Sequence, residues 1–164
     1  HRETEDAVAV HESALKGLTL LEREIKDSCE NCVDEVGSPT GLVFATPMQA
    51  NGTMTLDSTS KRPVWQRWIA YYLQPAGERF RSIRKEESIS SPSDVLPTLE
   101  PSHNTAHFAA LSGGSVIARS VKEFEVSVGS TVDIYLVCDE IVHKGTSTQA
   151  EFAVKVATKV TPRN

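Results

Sequence analysis

Over residues 2–28, RETEDAVAVHESALKGLTLLEREIKDS, apolar side chains return every three or four positions: Ala7, Val10, Ala14, Leu18, Leu21 and Ile25. That spacing lays them along one face of an α-helix. Glu3, Glu5 and Asp6 suit the positive end of the helix dipole. Glu12–Lys16 and Glu22–Lys26 stand at i,i+4 in the favourable order. Gly17 is the weak point, costing about 1 kcal/mol relative to alanine. No Ser, Thr, Asn or Asp with a matching box caps the start, the pattern of a helix cut in mid-course or of a disordered beginning. The chain also opens without a signal peptide or initiator Met, and it reads as a processed or trimmed fragment. A helix with one apolar stripe needs a second layer to cover that stripe.

After Cys32 the period changes. GLVFAT (41–46) is a short apolar run bounded by Ser-Pro and Pro, a buried strand. Residues 48–62 are polar and turn-rich, with an Asn-Gly pair. Val64 to Leu73 has the length and composition of a strand, QPAG (74–77) supplies turn residues, and ERFRSIRKE (78–86) alternates, so the three read as a hairpin. Phe80 and Ile83 break strict parity, which points to a bulge or an early end. Residues 88–106 hold three prolines and many Ser and Thr, a long irregular connection. Three more strands follow at 115–128, 131–140 and 149–160, the first two joined over Gly129-Ser130. The expectation is a single α+β domain over 1–164: an N-terminal helix within 1–30, packed on antiparallel β-sheet from 41–160, with long loops at 48–62 and 88–106.

The motifs of common chemistries are missing. There is no G-x-S-x-G, P-loop, G-x-G-x-x-G or EF-hand pattern, and no nucleophile stands beside a base, so no enzyme, catalytic residue, small-molecule substrate or cofactor is expected. His103 and His107 are four apart, but in a segment that reads as loop or strand start, with no glutamate between them, so no metal is expected there. His11 and His143 read as solvated. Asp133, Asp139 and Glu140 are hard-cation ligand types, but carboxylates spaced along strand ends read as solvated rather than as a calcium site. Cys29 and Cys32 form a lone C-E-N-C with no second Cys/His pair for zinc. A local disulfide and free thiols are the readings left open for them.

Both tryptophans and the Tyr71–Tyr72 pair fall in PVWQRWIAYYLQPAGERFRSIRKEE (63–87), beside Lys61, Arg62, Arg67, Arg79, Arg81, Arg84 and Lys85. Interleaved aromatics and bases resemble a nucleic-acid surface. The parity argues otherwise. Trp65, Ile69, Tyr71 and Leu73 share one face of the strand, while Trp68, Ala70 and Tyr72 share the other. Large apolar groups on both faces mark an interior strand covered twice, with its Tyr hydroxyls at wet edges. The arginines then fall on an exposed edge strand, where charge discourages further pairing. A net charge of −5 also weighs against a nucleic-acid partner.

The order of these segments resembles type IV pilin-like proteins, specifically the J-type minor pseudopilins of type II secretion and the related W-type minor pilins. LLEREIKDSC is similar to the family's helix end, L-x-R-(D/E)-(L/I), and SPTGLVFATP to its first strand. VWQRWIAYYLQPAGERFRSIRKE is similar to its W-x-x-(W/Y)-x-x-Y-Y-L … L-x-R hairpin, and VIARSVKEFEVSV … AVKVATKVTPRN to its closing strands. The resemblance runs in order over nearly the whole chain. It implies a non-enzymatic structural subunit, a minor pilin or pseudopilin acting in assembly or at the tip of a type II secretion pseudopilus or a type IV pilus. The head would stand in the periplasm or at the cell surface, anchored in the inner membrane before assembly by a preceding apolar helix half. Its partners would be other minor and major pilin or pseudopilin subunits and the inner-membrane assembly platform. An oxidising periplasm would favour a Cys29–Cys32 disulfide. The expected subunit contacts are the helix stripe Ala7, Val10, Ala14 and Leu18, the arginines Arg79, Arg81 and Arg84, and the two long loops. Two other readings stand beside this one. One is an envelope-complex subunit or ligand-binding α+β domain of a secretion or conjugation machine, akin to nuclear-transport-factor-like domains. The other is a nucleic-acid-binding module.

Overall fold

A computed structural model describes the backbone of residues 2–28, 33–37, 39–99, 102–144 and 147–162, and the side chains of these except 2–7, 33–37, 140–144, 147–154 and 156. Helix α1 runs Arg2–Lys26. The strands are β1 (Val33–Gly37), β2 (Thr40–Thr46), β3 (Arg67–Ala76), β4 (Arg79–Ser88), β5 (Ser115–Val128), β6 (Val132–Lys144) and β7 (Ser147–Val160), with a short helix α2 (Thr105–Ala110) between β4 and β5. Among the described residues the strands form one sheet in the order β1-β2-β3-β4-β5-β6-β7. Every neighbouring pair is antiparallel. The class is α+β, as the sequence predicts.

Short connections join β1–β2, β3–β4, β5–β6 and β6–β7, as antiparallel neighbours need only a tight turn, while residues 47–66 and 89–114 make long connections for β2–β3 and β4–β5. β3 runs three residues beyond the predicted strand end, and the hairpin closes at Gly77-Glu78 with Ala76 opposite Arg79. Gly77 has φ +68°, a conformation that glycine adopts without steric cost. The parity break at Phe80 and Ile83 is a real irregularity: the β4–β5 register shifts between Phe80 and Ser82 and again between Ser82 and Ile83. The β5–β6 register shifts between Val121 and Glu123, close to Ser120, whose φ is +55°. Bulges bend strands and increase their twist. The sheet curls enough for β1 and β2 to touch β5.

α1 lies against β5, β6, β7 and β2. Its stripe Val10, Ala14, Leu18, Leu21 and Ile25 joins Leu42, Phe44, Ile69, Tyr71, Leu73, Ala118, Val121, Phe124, Val132, Ile134 and Leu136 in the main core. Gly17 belongs to this contact. A Cβ there would stand 3.0 Å from Ile117 Cγ2 and 3.3 Å from Ile117 O, so glycine lets the helix approach β5 closely. Glu22 and Lys26 form the predicted i,i+4 pair at 3.3 Å.

The other face of β2–β4 carries a second core: Val43, Ala45, Trp65, Trp68, Ala70, Tyr72, Ile83 and Phe108, flanked by Ile89, Leu99 and Leu111. β3 is therefore covered on both faces, as its parity predicts, but Trp65, expected on the face of Ile69 and Tyr71, precedes the strand and packs with Trp68 on the other, because alternation holds only within a strand. α2, which the sequence reading left as irregular chain, supplies part of that cover through Phe108. Asn104 caps it by accepting a hydrogen bond from His107 N at 2.9 Å. None of the described helices is long and apolar enough to cross a membrane.

Candidate functional site

Two groups of polar side chains stand out, one on each face of the β3–β4 hairpin. The first joins the hairpin to the end of α1. Tyr71 and Arg84 are directly opposed in the β3–β4 register, and both point to the helix side. Arg84 donates from Nε and Nη2 to Oε1 and Oε2 of Glu24, each at 2.7 Å, a two-pronged guanidinium–carboxylate bond. The Tyr71 hydroxyl donates to the same Glu24 Oε1. Burial and then the Glu24 charge push the Tyr71 phenol far above its ordinary range, while the Glu24 hydrogen bond holds Arg84 firmly protonated. Tyr71 is thus a buried donor, and the expectation of a wet-edge hydroxyl does not hold for it. Glu86 extends the chain of charges, accepting from Arg84 Nη1 at 3.2 Å and from Arg67. Arg67 Nε in turn donates to Met48 O at 3.0 Å and ties down the start of the 48–62 loop.

The arginines do not lie on an edge. β4 pairs with β3 on one side and β5 on the other, so the edge-strand reading is overturned. Such a reading looks only at composition, whereas an edge is decided by which strand pairs next. Arg79 forks onto Asp139 of β6, with Nη2–Oδ2 at 3.0 Å, and that hydrogen bond raises the Arg79 pKa. The Asp139 side chain is only 1% exposed. Arg81 donates to Gln74 Oε1 at 2.6 Å, and its buried Nε has no hydrogen-bond partner among the described residues. Of the three arginines expected to meet another subunit, Arg79 and Arg84 are bound to carboxylates of this chain. Val10, Ala14 and Leu18, expected at a subunit contact, are instead buried in the chain's own core. A single apolar stripe can cover one surface, and the curled sheet takes it. The side chain of Ala7 and the Cys29–Cys32 pair lie outside the described residues.

The second group lies on the opposite face. Lys85 is buried, and its Nζ donates to Ala109 O at 3.1 Å and to Leu111 O, the last carbonyls of the α2 turn, with the ring of Tyr72 6.0 Å away. Two residues along β4 on the same face stands Glu87, opposite Trp68. Its carboxylate faces both histidines: Oε2 is 2.7 Å from His107 Nε2, and Oε1 is 3.6 Å from His103 Nε2. Trp68 stacks on His103 with centroids 5.9 Å apart, and the two imidazoles meet edge-on at 5.1 Å. One ligand atom from each of Glu87, His103 and His107 lies within 4.8 Å of the others. In the sequence the pair shows neither a helix nor an acid between the histidines, and no metal is expected from it. The structure supplies a helical turn beneath His107 and brings the acid from another strand.

Asp133 and Asp139 do not meet. Six residues apart on one strand, they stand about 20 Å from one another. Asp133 faces Lys159 at 3.8 Å and Asp139 holds Arg79; the Glu140 side chain lies outside the described residues. Cys138 is a free, buried thiol in the main core. Burial and the neighbouring Asp139 push its pKa up to about 12, so the nucleophilic thiolate is scarce at neutral pH. A cleft of about 890 Å³ opens between the start of β2 at Thr40–Gly41 and the ends of β5, β6 and β7, lined by Phe124, Val126, Ile134, Tyr135 and Ala157. Among the described residues, none of α1 lines it.

Set beside models of known families, characterised proteins and solved structures, the chain gives no match to any of them.

Proposed function

We propose that the chain is the helix-and-sheet head of a pilin-like fibre subunit, a non-enzymatic minor pilin or pseudopilin that meets other subunits of its fibre. The observation that carries this reading is the division of labour on α1. One stripe is spent on the chain's own sheet, while Val8 and Leu15, seven residues apart and so on one face, remain 51% and 42% exposed. Two aliphatic groups two turns apart on a helix flank are what a neighbouring helix packs against. The joint at the helix end supports the reading as well. Glu24 belongs to the LEREI pattern and Tyr71 to the aromatic strand on which the family resemblance rests, and the two meet through one carboxylate. A subunit that transmits load through its helix needs that helix fixed rigidly to its head. The loops at 48–62 and 88–106 also expose apolar groups, Met54, Leu56, Val95 and Leu96, as partner surfaces do.

The coding sequence upstream of His1, read together with in-cell cross-linking, tests the proposal. The expected leader is short and basic, followed by Gly-Phe-Thr-Leu-(Leu/Val)-Glu and an apolar run. A cysteine at position 8 or 15 of the full-length protein then cross-links to a fibre subunit. A leader of another kind, or no cross-link from either position in assembling cells, overturns it. A second reading, an envelope α+β domain that binds an apolar ligand, draws on the cleft between β2 and β5–β7. Saturable binding of a fluorescent fatty acid, lost on substituting the exposed cleft residue in Ala157→Glu, would favour that reading instead.

A further inference from the structure

We propose that Glu87, His103 and His107 form a binding site for one divalent transition-metal ion of the zinc type, with three protein ligands and a fourth position open to water. Two imidazoles and a carboxylate are a ligand set that zinc takes in three-ligand sites. Zinc bonds of 2.0–2.2 Å in a tetrahedron place neighbouring ligand atoms about 3.3–3.6 Å apart. Glu87 Oε1 stands 3.6 Å from His103 Nε2, at that separation, and Oε2 stands 2.7 Å from His107 Nε2, inside it. Small rotations of the side chains suffice to close the set on an ion.

His103 carries the argument furthest. Its ring is fixed against Trp68, yet its buried Nδ1 has no hydrogen-bond partner among the described residues. Its Nε2 is 3.6 Å from Glu87, beyond a normal hydrogen bond. A buried polar atom without a partner costs stability. The nitrogen turned toward the carboxylate is Nε2, which has no hydrogen bond among the described residues, so with the proton on Nδ1 its lone pair is available for a metal. His107 is positioned independently, by the Asn104 cap and by Lys85 on the far end of α2. Glu87 stands on an interior strand of the sheet. The three ligands therefore come from three separately anchored places. Solvent can reach them, with side chains 25%, 34% and 30% exposed for His103, His107 and Glu87, which provides an entry path and room for a bound water. An ion there would clasp α2 and its preceding loop to β4 over the second core. Imidazole ligands favour zinc and its transition-metal neighbours over calcium or magnesium, which take oxygen. This inference does not depend on the fibre reading, because a clasp between α2 and the sheet would serve any function of the domain.

Calorimetric titration of the whole chain with zinc, in a Cys29→Ser/Cys32→Ser background that removes the C-x-x-C thiols as competing ligands, tests the proposal. The expected result is one zinc per chain, with a tetrahedral cobalt spectrum on substitution. Glu87→Gln, His103→Gln and His107→Asn each weaken binding about tenfold or more. Glu87→Gln is nearly isosteric and keeps an acceptor for His107, so it remains decisive if a histidine variant disturbs α2; circular dichroism checks the fold. Absence of zinc binding overturns the proposal, as does unchanged affinity in Glu87→Gln. Calcium or magnesium binding as tight as zinc, lost with the same variants, overturns the assignment of metal class.

Discussion

Glu24 is a shared node of the hairpin joint, because one carboxylate serves both Arg84 and Tyr71. Its replacement leaves a guanidinium and a phenol in a largely dry site. Losing one partner of a buried pair costs far more than the pair itself contributes, because the remaining charge is left uncompensated. Glu24→Gln is therefore expected to destabilise the fold by about 3 kcal/mol, the lower end for a buried pair, since Glu86 still offers Arg84 a carboxylate. Tyr71→Phe removes one donor and leaves the ion pair intact, so about 1.5 kcal/mol is expected. The double variant should cost less than the sum, because both substitutions act on the same carboxylate. Urea denaturation of the three variants measures this. Equal losses for the two single substitutions would show that the guanidinium is not the main tenant of the site. The acid, the phenol and the guanidinium are each visible in the sequence, but their meeting is not. Glu24 and Arg84 are sixty positions apart, and only the register of β3 against β4 puts Tyr71 beside Arg84.

Among the elements, α1 and β3 were legible because their information is local. A stripe at helical period and aromatics on both parities follow from neighbouring residues alone. α2 and the interior position of β4 were not. α2 is one and a half turns long, too short for a period to show, and its main signal was the Asn104 cap three residues before His107. β4 carries the charges of an edge strand, but those charges answer carboxylates from α1 and β6. Gly17 changed meaning in the same way. By helix propensity alone, alanine there should stabilise the protein by about 1 kcal/mol. Against β5 the added methyl meets Ile117 at 3.0–3.3 Å. Gly17→Ala is thus expected to give no net gain in chemical denaturation, and Gly17→Val to cost about 1–3 kcal/mol through overpacking. A full 1 kcal/mol gain for the alanine variant would mean that the helix and β5 have slack between them.

At the scale of the whole molecule, charge is spent inward. Arg67, Arg79, Arg84 and Lys85, four of the seven bases in the one basic region, are bound to carboxylates or carbonyls of the same chain. With a net charge of −5 as well, little positive surface is left to release counterions from a phosphate backbone. An anisotropy titration against duplex or single-stranded DNA should show no salt-dependent binding at physiological ionic strength. Tight, salt-sensitive binding lost on Arg81→Ala would restore the nucleic-acid reading. The class of the fold, the strands from β2 onward, the double covering of β3 and the irregularity at Phe80–Ile83 were legible from adjacent residues, because periodicity and parity are local; β1, ahead of the expected sheet start at 41, was not. Which strand closes beside β4, the internal use of the helix stripe and the meeting of Glu87 with the histidine pair came from long-range packing. Those outcomes depend on register and on the curl of the sheet, which bring together side chains far apart along the chain and leave no trace in its local pattern.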